Sequence, residues 1–292
     1  AQFQGQEFVQ NKGQWPADVQ LMAKDGAAKI WMGSDRFLYQ LTDYSALEQA
    51  HHAQELIDNP TIPTALVQQR FIGANPKAQA QGQKPRKHNY NFFVGKDTTR
   101  WASAAQAFEE VSYQGYYPGI DMIWKNDQQH YKYYFVVAPG ADPSQISWDY
   151  SGAQTIHLKS GALRLQTPVG EIFEEQPLAY QEENGKRTLV SCHYSEISEG
   201  IFAYAVGAYN PALPLIIDPV LVFATYNGAV SDNFGMTATY GNDATAYSAG
   251  IVYGNNFPLP SLASFDTNSN FTSLAGAYGV TDVFVTRYSA NG

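Results

Sequence analysis

Large apolar side chains alternate with polar ones in short runs along most of the chain, and a turn residue closes nearly every run. In Ile146, Trp148 and Tyr150 the bulky side chains fall on one face and Ser147 and Asp149 on the other, the period of a half-buried strand. The same alternation predicts strands at Phe8-Val9, Val19 to Ala23, Ala28 to Met32, Phe37 to Leu41 and Ala65 to Ile72, and again through Phe202, Tyr204 and Val206. Ile120 to Gln181 is the densest such stretch and predicts an antiparallel meander around which the chain is organised. Within it Pro139-Gly140 ends one run, Ser160-Gly161 is a two-residue hairpin signal, and Pro168-Val169-Gly170 turns the chain again. Asn184-Gly185 is the strongest hairpin signal, because a type I′ turn needs positive φ at both central residues. Pro214 and Pro219 confine the apolar residues between them to a sheet edge or a domain exit.

Two segments break the pattern. Ser45-Ala46-Leu47-Glu48 is a capping-box sequence that opens a short helix to about Ile57. His51 and His52 lie there as neighbours, so they cannot share a metal from one helix face. Residues 76–88 show no apolar period and predict a mobile surface loop, whose basic cluster of Lys84, Arg86, Lys87 and His88 either is solvated or docks an acidic surface or glycan.

Composition narrows the class. Twenty Tyr, 24 Gly and 15 Pro among 292 residues favour short strands and many turns, and the length allows one large β domain or two ordinary ones. A net charge of -9 argues against nucleic acid as a partner, which needs clustered Lys and Arg. No apolar run reaches the roughly 20 residues of a membrane span. The start at Ala1-Gln2 fits a mature end left by signal-peptide removal, which predicts an extracellular or cell-surface location. The lone Cys192 shares a strand face with Val190 and Tyr194 and reads as a buried, inert thiol.

Several short motifs occur in a fixed order: Asn11 to Pro16 (NKGQWP), Phe71 to Pro76 (FIGANP), Asn89 to Gly95 (NYNFFVG), Gly119-Ile120-Asp121, Pro139 to Pro143 (PGADP), Thr167 to Glu171 (TPVGE) and Gln176 to Gln181 (QPLAYQ). This set resembles the uncharacterised N-terminal domain of large Bacteroidota cell-surface proteins, the domain that precedes SBBP β-propeller repeats and is often exported by type IX secretion. Leu221 to Gly228, Asp232 to Gly235, Ala246 to Gly250, Asn256 to Pro258 and Asp282 to Tyr288 resemble one SBBP repeat, with Ala229 in place of the usual second Gly and a long insertion over 259–279. The resemblance implies an export route, an architecture and, because a lone blade leaves its faces open, further blades or a packing partner. Asp97-Thr98-Thr99 resembles the O-glycosylation acceptor of such exported proteins, and a tight turn accounts for it equally well.

The expected fold is therefore all-β: an antiparallel, β-sandwich-like region over 1–219, then one propeller-type blade over 220–292. No nucleophile elbow, zinc-protease helix, P-loop or dinucleotide fingerprint occurs, and no cofactor is expected. Asp266 to Asn270 begins like a calcium loop, but Phe271 and Ala277 stand where Gly and Glu are required. Glu174-Glu175 and Glu182-Glu183 read as solvated strand ends, since neighbours on a strand face opposite ways and cannot form a facing pair. Tyr113, Tyr116, Tyr117 and Trp124 are candidate glycan or partner contacts, against the alternative that they pack the core, and Tyr131, Tyr133 and Tyr134 are weighed in the same way. The expected function is a non-enzymatic module of a secreted or surface protein, in adhesion or in an extracellular assembly with protein partners or copies of itself. A carbohydrate-binding module is the alternative.

Overall fold

The computed structural model describes residues 7–25, 28–44, 61–126, 131–219, 221–224, 233–240, 246–253 and 281–288. They are all-β, with two single-turn 3-10 segments at Thr98–Arg100 and Pro143–Gln145. The chain divides into two units, one of residues 1–43 and 62–225, the other of residues 44–61 and 226–292.

Nineteen strands belong to the first unit: β1 (Phe8–Gln10), β2 (Leu21–Asp25), β3 (Ala28–Met32), β4 (Arg36–Thr42), β5 (Thr64–Phe71), β6 (Ala80–Phe92), β7 (Ala102–Tyr117), β8 (Ile120–Asn126), β9 (Tyr131–Val137), β10 (Ser147–Ser151), β11 (Thr155–Lys159), β12 (Ala162–Thr167), β13 (Gly170–Glu174), β14 (Leu178–Glu183), β15 (Lys186–Val190), β16 (Cys192–Ser198), β17 (Ile201–Val206), β18 (Leu215–Asp218) and β19 (Leu221–Ala224). Fifteen form one sheet in the order β15-β14-β18-β9-β8-β7-β1-β2-β3-β4-β5-β10-β17-β16, with β6 on β7. The end strands β15 and β16 are separated only by Ser191, so the sheet curls until its ends meet at a corner. The sheet thereby encloses its own inner face. Strand alternation supplies that face: Tyr131, Tyr133, Phe135 and Val137 of β9 are buried while Lys132, Tyr134 and Val136 are half-buried on the outside.

Opposite walls of the curl touch through aromatic rings. Phe71 of β5 meets Tyr133 and Phe135 of β9 at 6.2 and 5.8 Å between centroids, and Phe37 of β4 meets Trp124 of β8 at 4.9 Å. Each such ring contributes about 1.5–3 kcal/mol by leaving water, so one continuous aromatic core dominates the unit's stability. A four-stranded sheet, β11-β12-β13-β19, adds Leu163, Leu165 and Ile172 to the same core.

The second unit shows a three-stranded antiparallel sheet of β20 (Asn233–Tyr240), β21 (Ala246–Tyr253) and β22 (Thr281–Tyr288). The expected helix from Ser45, His51 and His52, the Asp266 to Asn270 loop and the Ala1-Gln2 start lie outside the described residues.

Four expectations change. Ile120 to Gln181 is not one meander: β8 and β9 pair, β10 joins β5 and β17, and β11 to β13 build the smaller sheet. Strand period fixes which face is buried but not which strand lies alongside. Residues 80–88 of the expected mobile loop belong to β6, a long strand paired with β7. Its apolar period is hidden because it is an edge strand, kinked where Pro85 and the positive φ of Lys84 break the ladder and studded with charge, the usual protection of an open edge. The segment between Pro214 and Pro219 is not an edge: β18 pairs with both β9 and β14, and each proline sits just outside the ladder. Finally, β19 pairs with β13, so the chain stays with the first unit through Thr225, beyond the boundary expected at 219.

Candidate functional site

The most unusual chemistry lies inside the curl. Ile172 and Glu174 are alternate residues of β13 and both face the core, so a carboxylate with 0% exposure enters an aromatic interior. Charge in that setting requires donors. Tyr150 Oη donates to Glu174 Oε1 at 2.6 Å, Tyr194 Oη donates to Oε2 at 3.2 Å, and Tyr133 Oη lies 3.4 Å from both oxygens. Gln69, also fully buried, joins these groups, accepting from Tyr39 Oη at 2.6 Å and donating to Tyr150 and Tyr133 at 3.0 and 3.2 Å. The network ties β4, β5, β9, β10, β13 and β16 together, drawing on both walls of the curl and on the smaller sheet.

Desolvation dominates the electrostatics. It pushes the Glu174 carboxyl up from 4.5 to about 7, against the opposing pull of its tyrosine hydrogen bonds. Burial first, and then the Glu174 charge, hold the hydroxyls of Tyr39, Tyr133, Tyr150 and Tyr194 well above the usual tyrosine range. The group can hold or release one proton near neutral pH, and every side chain of the network is buried. The reading of Glu174 as a solvated strand end is therefore corrected. Glu182 and Glu183 are exposed, as expected.

A second buried carboxylate, Glu7, is 2% exposed and accepts from Tyr90 Oη, with His88 Nε2 at 2.8 Å. It tethers edge strand β6 to the start of β1. Cys192 is buried, and desolvation pushes its thiol up to about 12, which suits an inert role.

The candidate contact residues go to the core. Tyr113, Tyr116 and Trp124 are fully buried and Tyr117 is 2% exposed, so none can stack on a glycan at the surface. Tyr113 Oη and Tyr116 Oη have no hydrogen-bond partner among the described residues, and Tyr117 Oη donates to the carbonyls of Ile72 and Ser147. Tyr131 and Tyr133 are buried too, whereas Tyr134 faces outward.

Tyr134 borders a shallow groove of about 340 Å³ on the outer face of β8, β9, β18 and β14, with Lys125, Tyr180, Glu182, Ile216 and Asp218. Lys125 Nζ sits 4.8 Å from the Tyr134 ring centre, and the Arg187 guanidinium 3.9 Å from that of Tyr180. Across these strands Leu189, Tyr180, Ile216 and Val136 stand in one register row, which gives the outer face an apolar stripe. A wider groove of about 570 Å³ lies beside Trp15, Gln20, Gly82 and Phe108.

The family described as Domain of unknown function (DUF7948) matches residues 8–220. Those residues span β1 to β18, nearly the whole first unit. Neither a curated protein nor a solved structure matches the chain at a significant level.

Proposed function

The chain belongs to the DUF7948 family, a domain of unknown function, and we propose that it is a non-catalytic module of a secreted or cell-surface protein, acting in adhesion or as a structural part of an extracellular assembly. One observation carries the non-catalytic reading: Glu174, the carboxyl poised near neutral pH among the described residues, is sealed behind tyrosines in a closed aromatic core. A general acid or base must lie within hydrogen-bond reach of its substrate, and Glu174 reaches only protein. Large side chains left in water instead lie on the outside, among them Leu66, Phe93, Val94, Trp101, Leu189 and Ile197. Labelling of intact producing cells with a membrane-impermeant biotin reagent tests the location. Labelled protein on the surface or in the medium is expected, and protein labelled only after lysis contradicts the proposal.

A second reading, carbohydrate binding, is favoured by the Tyr134 and Tyr180 groove. Half-buried rings beside charged groups of both signs suit a pyranose, which offers an apolar face and hydroxyl edges. Calorimetric titration with neutral oligosaccharides should then give binding that Tyr134→Ala and Tyr180→Ala each abolish. Heat that both variants retain, or none at all, removes this reading.

A further inference from the structure

Strands β6 and β7 continue past the sheet as a two-stranded ribbon. Beyond the β1 contact at Ala107 and Phe108, β7 pairs among the described residues only with β6, through Gln106, Ala105 and Ala102. Trp15 covers one face of this ribbon, packing on Phe92 at 5.2 Å. Residues 93–101 form its tip. Phe93 is 59% exposed, Val94 73% and Trp101 43%. Three large apolar side chains within nine residues are far more than the scattered exposure of an ordinary surface.

The tip is rigid by its own hydrogen bonds. Phe93 and Trp101 meet edge to face at 5.7 Å, and Trp101 Nε1 donates to the Gly95 carbonyl at 3.3 Å. Asp97 accepts from Thr99 N at 3.0 Å and from Thr99 Oγ1 at 2.6 Å, closing the 3-10 turn and engaging the tip's carboxylate. Lys96 and Arg100 are exposed, and neither makes an ion pair among the described residues. At the base Lys12 Nζ donates to the Ser103 carbonyl at 3.1 Å. The tip thus joins Trp, Phe and Val to a local excess of cations, in a chain whose net charge is -9.

We propose that the 93–101 tip docks on an anionic lipid surface, with Phe93, Val94 and Trp101 entering the headgroup boundary and Lys96 and Arg100 meeting lipid phosphates. A protein partner would need roughly 800 Å² of matching surface on each side, and a nine-residue convex tip offers little of that. A bilayer interface demands no matching shape. It favours aromatic rings at the headgroup level, flanked by long cations that keep their charge in water. Docking this way is not spanning, and no described helix is long and apolar enough to cross a membrane.

The test is vesicle flotation of the full chain with phosphatidylcholine alone and with roughly one-third phosphatidylglycerol added, at low and high salt. Partitioning onto the anionic vesicles is expected, weakened by at least about thirty-fold in Lys96→Glu with Arg100→Glu and lost when Phe93, Val94 and Trp101 are all changed to Ser. These side chains are exposed, so an unchanged thermal midpoint certifies the variants. As a second readout, bromine-labelled acyl chains should quench a fluorescence component that Trp101→Phe lacks. No partitioning of the unaltered chain, or partitioning and quenching indifferent to the tip, overturns the proposal. So does a Ser variant that keeps vesicle binding but loses a chemical cross-link to protein, which would mark the tip as a protein contact.

Discussion

Neutralising Glu174 should change how stability depends on pH, and by a computable amount. Its carboxyl is fully buried and titrates near 7 in the folded chain, against 4.5 when exposed. Below pH 4.5 both states hold the proton and the protonated side chain is accommodated at no titration cost. As pH rises from 4.5 to about 7, the unfolded chain releases its proton first, so the folded state binds more protons and loses stability. At ~1.4 kcal/mol per pH unit, the window removes about 3 kcal/mol, a sizeable share of a domain's usual 5–15 kcal/mol. Glu174→Gln keeps the shape and an acceptor for Tyr150 but has no proton to release. Urea denaturation followed by tryptophan fluorescence at pH values from about 4 to 8 measures the difference. The variant should match or fall slightly below the parent at acid pH and exceed it by up to about 3 kcal/mol above pH 7. Parallel curves for the two proteins would mean instead that Glu174 titrates alike folded and unfolded.

Other side chains offer simpler tests. Tyr113→Phe and Tyr116→Phe remove buried hydroxyls without a partner among the described residues and should leave thermal stability unchanged or raise it by ~1 kcal/mol; a loss above that would reveal a hydrogen bond these hydroxyls make. Tyr150→Phe removes the shortest hydrogen bond to Glu174 and should cost about 1–3 kcal/mol above pH 7 and less at pH 4, again by urea titration. Gly152 has φ +91, and a Cβ there would lie 2.1 Å from the Leu66 carbonyl oxygen, so Gly152→Ala should lower stability by at least about 1 kcal/mol in a melting experiment.

Local features of the fold were legible and long-range ones were not. Asn184-Gly185 and Ser160-Gly161 both take positive φ and close the β14–β15 and β11–β12 hairpins, because a two-residue turn is decided by its own backbone. One partner of β18 is β9, 80 residues earlier at the Ile216–Val136 pair, and nothing local selects it. The tyrosines show the same divide. Period two already set Tyr113 with Val111, and Trp124 with Ile120 and Met122, on one face, which is why they lie in the core and not at a surface. Glu174 was harder, because in Glu171-Ile172-Phe173-Glu174 either face carries one apolar residue. Its burial depends on hydroxyls from β9, β10 and β16 that only the folded chain assembles. The parity with Ile172 was a visible signal, as was the abundance of Tyr, the residue that can line a core and still donate a hydrogen bond. The 93–101 tip was legible as a turn at Asp97, but its exposure was not, since Phe92, Phe93 and Val94 together look like core.

On the proposed function, the first unit acts through its outer surface while its interior stays shut. Amide hydrogen exchange of the full chain, with and without anionic vesicles, tests this most directly. Slow exchange is expected throughout β9, β10, β13 and β16 in both conditions, with new protection confined to residues 93–101. Fast exchange around Glu174, or vesicle-induced protection that falls in the interior strands and leaves the tip unchanged, would contradict it.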